Sequence, residues 1–446
     1  MISSTDEAPL VSVVTPTNGS QFLTRALDGV KAQTYPCWEW IVLANGPAAA
    51  ADLSFVQADT RVRVVRDHSA NDKIGYWKKA ACEIANGDII VELDHDDSLL
   101  PHALNTIVDA FKTDPEVGMV YSNNAAIHAD WTPNQEYDSV YGWKYRDRTA
   151  FGHQVRECVA PQPWPQNLSR IWYAPDHVRA WWANTYRAIG GHNPDMDVCD
   201  DHDLICRMYI KSKIKHIDDL LYLYTVHDSN NVKLRNALIQ ETTWAIYHRY
   251  VEQMAMRWAA DNGLKALLID GGVRRVTERE PSYTAVGFSN EESGSCCDPV
   301  GPETVADRAE MALSMLGALP GDSAGIIRLD DALHLFERPI EIMKQSHRVL
   351  AHGGFLFSST PSTDGRGAWQ DPRARSGWNQ NSFWYWTDPG HQRQLGMSCP
   401  WQDVCTNTWF PTEWHRATNV PYVVSHLIAI KDGPRFHGLN LFRDSE

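Results

Sequence analysis

Two acidic runs hold the residues best suited to do chemistry. Residues 94–97 read Asp94-His95-Asp96-Asp97 at the end of the apolar run DIIVEL, and residues 200–203 read Asp200-Asp201-His202-Asp203. Two carboxylates at i and i+2 on a turn can grip a divalent cation, which in turn neutralises a diphosphate. The first run equally suits a turn and helix start, with Asp97 or Ser98 capping the helix that Pro101 opens. In the second run, acids in a first helical turn stabilise its positive end by about 0.3–1 kcal/mol each. That accounts for Asp203 but poorly for four titratable groups crowded together.

The elements around these runs alternate. Residues 10–15 (LVSVVT), 38–44 (WEWIVLA), 61–65 (RVRVV), 88–93 (DIIVEL) and 117–122 (VGMVYS) read as strands. Helical patterns cover 21–33, 74–85 and 101–112. Strands alternating with helices predict βαβ units and a mostly parallel sheet. Ligands of such open sheets sit beyond the carboxyl ends of strands, which is where 94–97 falls. Residues 132–175 lose this pattern and read as a long functional loop or lid-like insertion. Regular patterns return at 177–188, 204–210 and 220–226, and a long helix is predicted over 232–261. A second α/β pattern follows, with strands at 266–270, 283–288, 325–329, 355–359 and 422–431 and a helix at 339–350. Residues after 262 contain three lysines (Lys265, Lys344, Lys431), and this shift places a domain boundary near 262.

The composition narrows the class of function. With 41 Lys+Arg against 56 Asp+Glu the net charge is −15. This argues against a surface built to hold a nucleic-acid backbone. No run approaches the ~18 apolar residues of a membrane span, and the first ten residues lack the pattern of a secretory signal. The nine cysteines form no CxxC pair, so a reducing, cytoplasmic setting is expected. Trp181 and Trp182, just before the Gly190-Gly191 turn, are either core residues or walls of an acceptor pocket.

Residues 11–46 (VSVVTPTNGSQFLTRALDGVKAQTYPCWEWIVLANG), 75–88 (GYWKKAACEIANGD) and the acidic run at 94–97 together resemble the inverting family-two nucleotide-sugar glycosyltransferases of the GT-A fold. YRAIGGHNPDM (186–196), CDDHDLICRM (199–208) and LYTVHDSNN (223–231) follow in the order of that family. The resemblance runs over residues 9–235 and implies an α/β, Rossmann-like GT-A domain. It implies that Thr15, Pro16 and Thr17 line the nucleotide pocket. Asn45 stands where many relatives carry an Asp that bonds the base, and Lys78 and Lys79 where they carry an Arg-Asn pair facing the nucleotide. Asp94 and Asp96 become the D-x-D, with His95 and Asp200 beside the donor. Asp94, Asp96 and His227 are the metal set for Mn²⁺ or Mg²⁺, and Asp201 is the general base. The implied partners are a nucleotide-sugar donor, UDP-hexose by default, and a glycan or protein acceptor. Homo-oligomerisation is left open.

Residues 334–372 resemble the late helix and strand of class I S-adenosylmethionine-dependent methyltransferases, through RVLAHGG and the Asp330-Asp331 pair. The first strand offers Asp270, Gly271 and Gly272, yet Arg274 and Arg275 occupy a turn that normally needs small residues. The expectation is therefore a second Rossmann-like domain over 263–446 that does not work with S-adenosylmethionine. WNQNSFWYWTD (378–388) is an aromatic, amide-rich stretch suited to a sugar or base. Two other readings remain: a bifunctional glycosyltransferase and methyltransferase, or a non-enzymatic glycan-binding protein on a decayed transferase fold.

Overall fold

The computed structural model describes residues 8–19, 23–134, 139–227, 231–271, 283–286, 302–394 and 396–437. The chain separates into two units. One comprises residues 1–254 together with 437–446, the other residues 255–436.

The first unit begins with β1 (Val11–Thr17), α1 (Leu23–Lys31), β2 (Trp38–Ala44), β3 (Val62–Arg66) and α2 (Ile74–Glu83). It continues through β4 (Ile89–Glu92), β5 (Ser98–Leu99), α3 (Ala103–Lys112) and β6 (Val117–Ile127). Then come β7 (Pro133–Asn134), β8 (Lys144–Ala150), β9 (His153–Val159), α4 (Pro165–Leu168), β10 (Arg179–Trp182), α5 (Ala183–Ala188), α6 (Asp200–Lys211) and β11 (Lys213–Thr225). The helix α7 (Asn231–Asp261) carries the chain across the division.

The sheet order is β3-β2-β1-β4-β10-β6-β11-β5. The strands β1 to β4 pair in parallel, as do β6 and β11, but β10 is antiparallel to both β4 and β6. The sheet is mixed rather than mostly parallel. Its apolar strands are buried on both faces because helices cover both sides. One core holds Val11, Val13, Trp40 and Val91 with Leu104 and Ile107 of α3. The other holds Ile41, Ile90 and Trp77 with Leu204 and Ile205 of α6.

Residues 132–175 are not one long loop. They contain the β8–β9 hairpin, paired through β9 to β6. Apolar and charged residues alternate too loosely in KYRDRTA and HQVRECV for the pattern to show.

The second unit contains β12 (Lys265–Asp270), β13 (Thr284–Ala285), α8 (Pro302–Ala318), β14 (Ala324–Asp330), α9 (Pro339–Val349) and β15 (Leu350–Pro361). The short helices α10 (Trp384–Thr387) and α11 (Pro389–Gln394) precede β16 (Trp401–Trp409), α12 (Glu413–Ala417) and β17 (Tyr422–Ala429). Its sheet runs β13-β12-β14-β15-β17-β16, parallel from β13 to β15 and antiparallel at β17. Of the stretch 378–388, Trp378, Phe383 and Trp386 are core residues, while Trp384 and Tyr385 are exposed. Gly272, Arg274 and Arg275 lie outside the described residues.

Candidate functional site

The strand β4 is the base of the site. It lies beside β1 and carries Glu92 at its end, and the chain then turns through 94–97. Tyr222 of β11 secures the turn. Its hydroxyl donates to Asp97 Oδ2 at 2.8 Å and accepts from the Asp94 backbone N–H at 3.1 Å, while Thr225 N donates to Asp97 Oδ1 at 2.7 Å. Asp97 is fully buried and both its oxygens are engaged. It therefore ties the turn to β11 and does not cap a helix: α3 starts only at Ala103, with no side-chain cap on His102. Burial pushes its carboxyl well above the ordinary range, and Asp96 and Asp94 add to that.

Around Glu92 a buried ionic cluster forms. Lys78 Nζ of α2 lies 3.0 Å from Glu92 Oε1, and Arg179 Nε donates to Glu92 Oε2 at 3.0 Å. Arg179 Nη1 also donates to Asp201 Oδ2 at 2.6 Å. The third guanidinium nitrogen, Nη2, lies 2.6 Å from His177 Nε2, whose other ring nitrogen is 3.0 Å from Asp176 Oδ1. His177 also stands 3.6 Å from Asp94 Oδ2 and stacks on Tyr222. His192 is 3.4 Å from Glu92 and 3.6 Å from Asp200. Burial opposes the charge on Lys78, but Glu92, Asp200 and Asp94 outweigh it and raise its pKa.

The adjacent acids at the start of α6 are pushed apart. Burial, helped by Asp201 and Glu92, raises Asp200 against the pull of Lys78 and His192. Burial also works against the charge on Asp201, yet Arg179 and Lys78 outweigh it and hold that carboxyl below its usual range. The Asp200 side chain is 3% exposed and that of Asp201 is 22% exposed, so Asp201 is the one an incoming group can touch. Asp203 is structural: it accepts from Tyr250 and from Arg207. His202 is buried against the Leu168 carbonyl.

The remaining candidates separate clearly. Asp96 Oδ2 lies 2.7 Å from His227 Nε2 and 4.0 Å from His95 Nε2. Asp94, Asp97 and His177 offer donor atoms within 4.8 Å of one another. With Asp97 engaged, the carboxylates left to hold a cation are Asp94 and Asp96, with His177 and His227 beside them. Carboxylates with imidazole beside them are a donor set for a divalent cation. Thr15 is fully buried, and its hydroxyl accepts from the Trp40 indole at 2.9 Å. The Thr17 hydroxyl accepts from Gly19 N, and Pro16 is half-buried between them. Asn45 is buried at the end of β2, and its Oδ1 has no partner among the described residues. The Lys79 ammonium is 4.0 Å from Glu83, one turn on, and joins no acid of the cluster. Trp181 stacks on Tyr186 inside the core, and the half-buried Trp182 packs against Phe111 at the edge of the other core.

Residues 12–162 match the family model described as Glycosyl transferase family 2. The chain carries a family 2 glycosyltransferase domain. The O-antigen biosynthesis protein RfbC of Myxococcus xanthus is 28% identical to the chain over 227 residues, 48% of this chain and 16% of that protein. A chondroitin synthase of Escherichia coli is 21% identical over 56% of this chain and 34% of its own length. A hyaluronan synthase of Pasteurella multocida is 23% identical over 51% of this chain and 22% of its own. The chain thus spans between 16% and 34% of the length of these relatives. The crystal structure of S. aureus TarS 1–349 in complex with UDP aligns with a TM-score of 0.38 at 16% identity, covering 54% of this chain and 70% of that one.

Arg179, His177 and His192 were not legible as site residues. The available signal was an arginine in the aromatic strand RAWW: a charge in such a strand must be paired.

Proposed function

We propose that the first unit is a metal-dependent inverting glycosyltransferase that moves a sugar from a nucleoside-diphosphate donor to an acceptor hydroxyl. The observation that carries this reading is Arg179, which bonds Glu92 beside the D-x-D turn and Asp201 on α6 at once. Arg179 thereby links the end of β4, just before the first acidic run, to the start of α6, which supports reading the two runs as one site.

Asp94 and Asp96 would hold the cation, with His227 beside Asp96. A bound Mn²⁺ or Mg²⁺ supplies charge that offsets the departing diphosphate. Asp201 accepts the proton of the acceptor hydroxyl as that oxygen attacks the anomeric carbon from the face opposite the diphosphate. Arg179 keeps Asp201 ionised and fixes its direction, and Lys78 holds Glu92 in place. The partnerless Oδ1 of Asn45 is an acceptor for an imide or amide N–H, which suits a uracil base. The relatives named for O-antigen, chondroitin and hyaluronan synthesis support a glycan acceptor over a protein one. No described helix is long and apolar enough to cross a membrane.

The second unit is read as methyltransferase-like: a parallel sheet closed by an antiparallel pair supports this. A β-carbon on Gly271 would lie 1.9 Å from the Asp331 carbonyl oxygen, so the open side of that glycine faces protein backbone. This favours a unit that does not use S-adenosylmethionine.

The test is hydrolysis of UDP-glucose, UDP-galactose and UDP-N-acetylglucosamine with Mn²⁺ or Mg²⁺, before and after chelation. Turnover that stops with EDTA, returns with metal and is lost in Asp96→Ala supports the reading. Full turnover by Asp96→Ala and Asp201→Asn would sink it.

A further inference from the structure

The second unit contains a cavity of about 380 Å³ at the carboxyl ends of β14 and β15. Its polar wall is built. His334 is buried, with Nδ1 3.0 Å from Thr360 Oγ1 and Nε2 3.6 Å from Asp371 Oδ2. Arg373 clamps Asp371 by two bonds, Nε to Oδ1 at 2.9 Å and Nη2 to Oδ2 at 2.7 Å. Asp331 lies on the same wall.

The opposite wall is aromatic. Thr412 caps α12 by accepting from His415 N, and Trp414 of that first turn lines the cavity while 58% exposed. Tyr422 completes the wall, with its ring 5.7 Å from that of His415. Leaving an indole in water forgoes a large apolar burial. Among the described residues the second unit does so repeatedly, at Trp369, Trp384, Trp409 and Trp414.

The chemistry of the walls selects a ligand. Two carboxylates face one guanidinium already neutralised by Asp371, and burial disfavours a charge on His334, so an anion finds little attraction. Fixed acceptors, a fixed donor and an aromatic face instead suit vicinal hydroxyls on a puckered ring. The volume lies at the small end of the ~300–1,000 Å³ range of ligand sites and suits one or two sugar rings.

We propose that this cavity binds a neutral sugar residue, stacked on Trp414 and hydrogen-bonded to the Asp331, His334 and Asp371–Arg373 wall. The further assignment of that sugar to the acceptor glycan rests on the glycosyltransferase reading. Sugar binding is measured without turnover, so either can fail while the other stands.

Saturation-transfer NMR on the full chain tests it, with the methyl glycosides of glucose, galactose, mannose and N-acetylglucosamine, glucuronic acid and adenosine as probes. At least one neutral glycoside should bind, and Trp414→Ala should weaken it at least about fivefold. Trp369→Ala, which removes an exposed indole outside the cavity wall, should leave binding intact. Unchanged circular dichroism confirms that Trp414→Ala is folded. Binding of glucuronic acid or adenosine alone, no binding at all, or binding indifferent to Trp414→Ala would each overturn the proposal.

Discussion

Arg179 Nη1 donates to Asp201 Oδ2 at 2.6 Å while its Nε donates to Glu92 Oε2 at 3.0 Å, with the guanidinium side chain only 2% exposed. A buried pair of this kind is weak evidence of net stabilisation, but removing one partner strands the other charges. Arg179→Met should therefore lower stability by about 3–5 kcal/mol, read by urea denaturation. In the surviving folded protein the Asp201 carboxyl loses the first charge that holds it down. The acid limb of donor hydrolysis should then move to higher pH. An unmoved limb would show that Arg179 does not set the ionisation of Asp201.

Asp201→Asn keeps the shape of the side chain and its capacity to accept from Arg179 but cannot take a proton. Turnover should fall by about 10²–10⁴-fold, with donor affinity measured by calorimetry little altered. A comparable loss of donor affinity would mean that Asp201 binds the donor rather than the acceptor proton.

Much of this site could be read from the chain. Parallel strands buried on both faces write continuous apolar runs, so β2 at Trp38–Ala44 is where WEWIVLA predicts it, and DIIVEL leads straight into the D-x-D turn. The long helical stretch over Asn231–Asp261 is equally plain, though not the break at Arg235, where the backbone leaves helical geometry (φ −126°, ψ 20°). What the pattern hides is pairing. The strand β10 has four residues and enters the sheet antiparallel between β4 and β6, contacts set by chain distant in sequence. The partners of Glu92 come from α2, β10 and the segment between α5 and α6, and nothing in the local sequence of any one of them names the others. Asp97 shows the same limit: its spacing suits a helix cap, but Tyr222 and Thr225 reach it first.

Tyr222→Phe tests how the D-x-D turn is held. The hydroxyl bonds both Asp97 and the Asp94 amide, and its loss leaves the buried Asp97 carboxyl and the Asp94 N–H each short of one partner. The expected cost is about 1–3 kcal/mol. Because the turn also positions Asp94, the concentration of Mn²⁺ needed for half-maximal donor hydrolysis should rise in this variant. A stability loss with unchanged metal dependence would make Tyr222 a purely structural residue.

Gly75→Ala tests the seat of α2 against the segment before α6. A β-carbon there would meet the Asn193 carbonyl oxygen at 2.0 Å and Asp200 Cβ at 3.3 Å, and Gly75 N itself donates to Met196 O. Backbone cannot yield as a side-chain end can, so a cost of about 1–3 kcal/mol is expected, with α2 displaced. Since α2 also carries Lys78, donor turnover should fall along with the thermal midpoint.

Asp371 offers a pH test confined to the second unit. Its two bonds from Arg373 pull its pKa from 3.8 to about 2, against the opposing effect of burial. A carboxyl lowered on folding contributes stability that is fully present above its unfolded value and is lost as pH falls through the folded one. Asp371→Asn should therefore lower the thermal midpoint at neutral pH. The gap from the parent should close as pH falls from about 4 to about 2. Arg373→Gln should narrow the same window from the other side, because without the guanidinium Asp371 returns toward its ordinary range. A gap that stays constant down to pH 2 would mean that the clamp contributes through packing and not through charge.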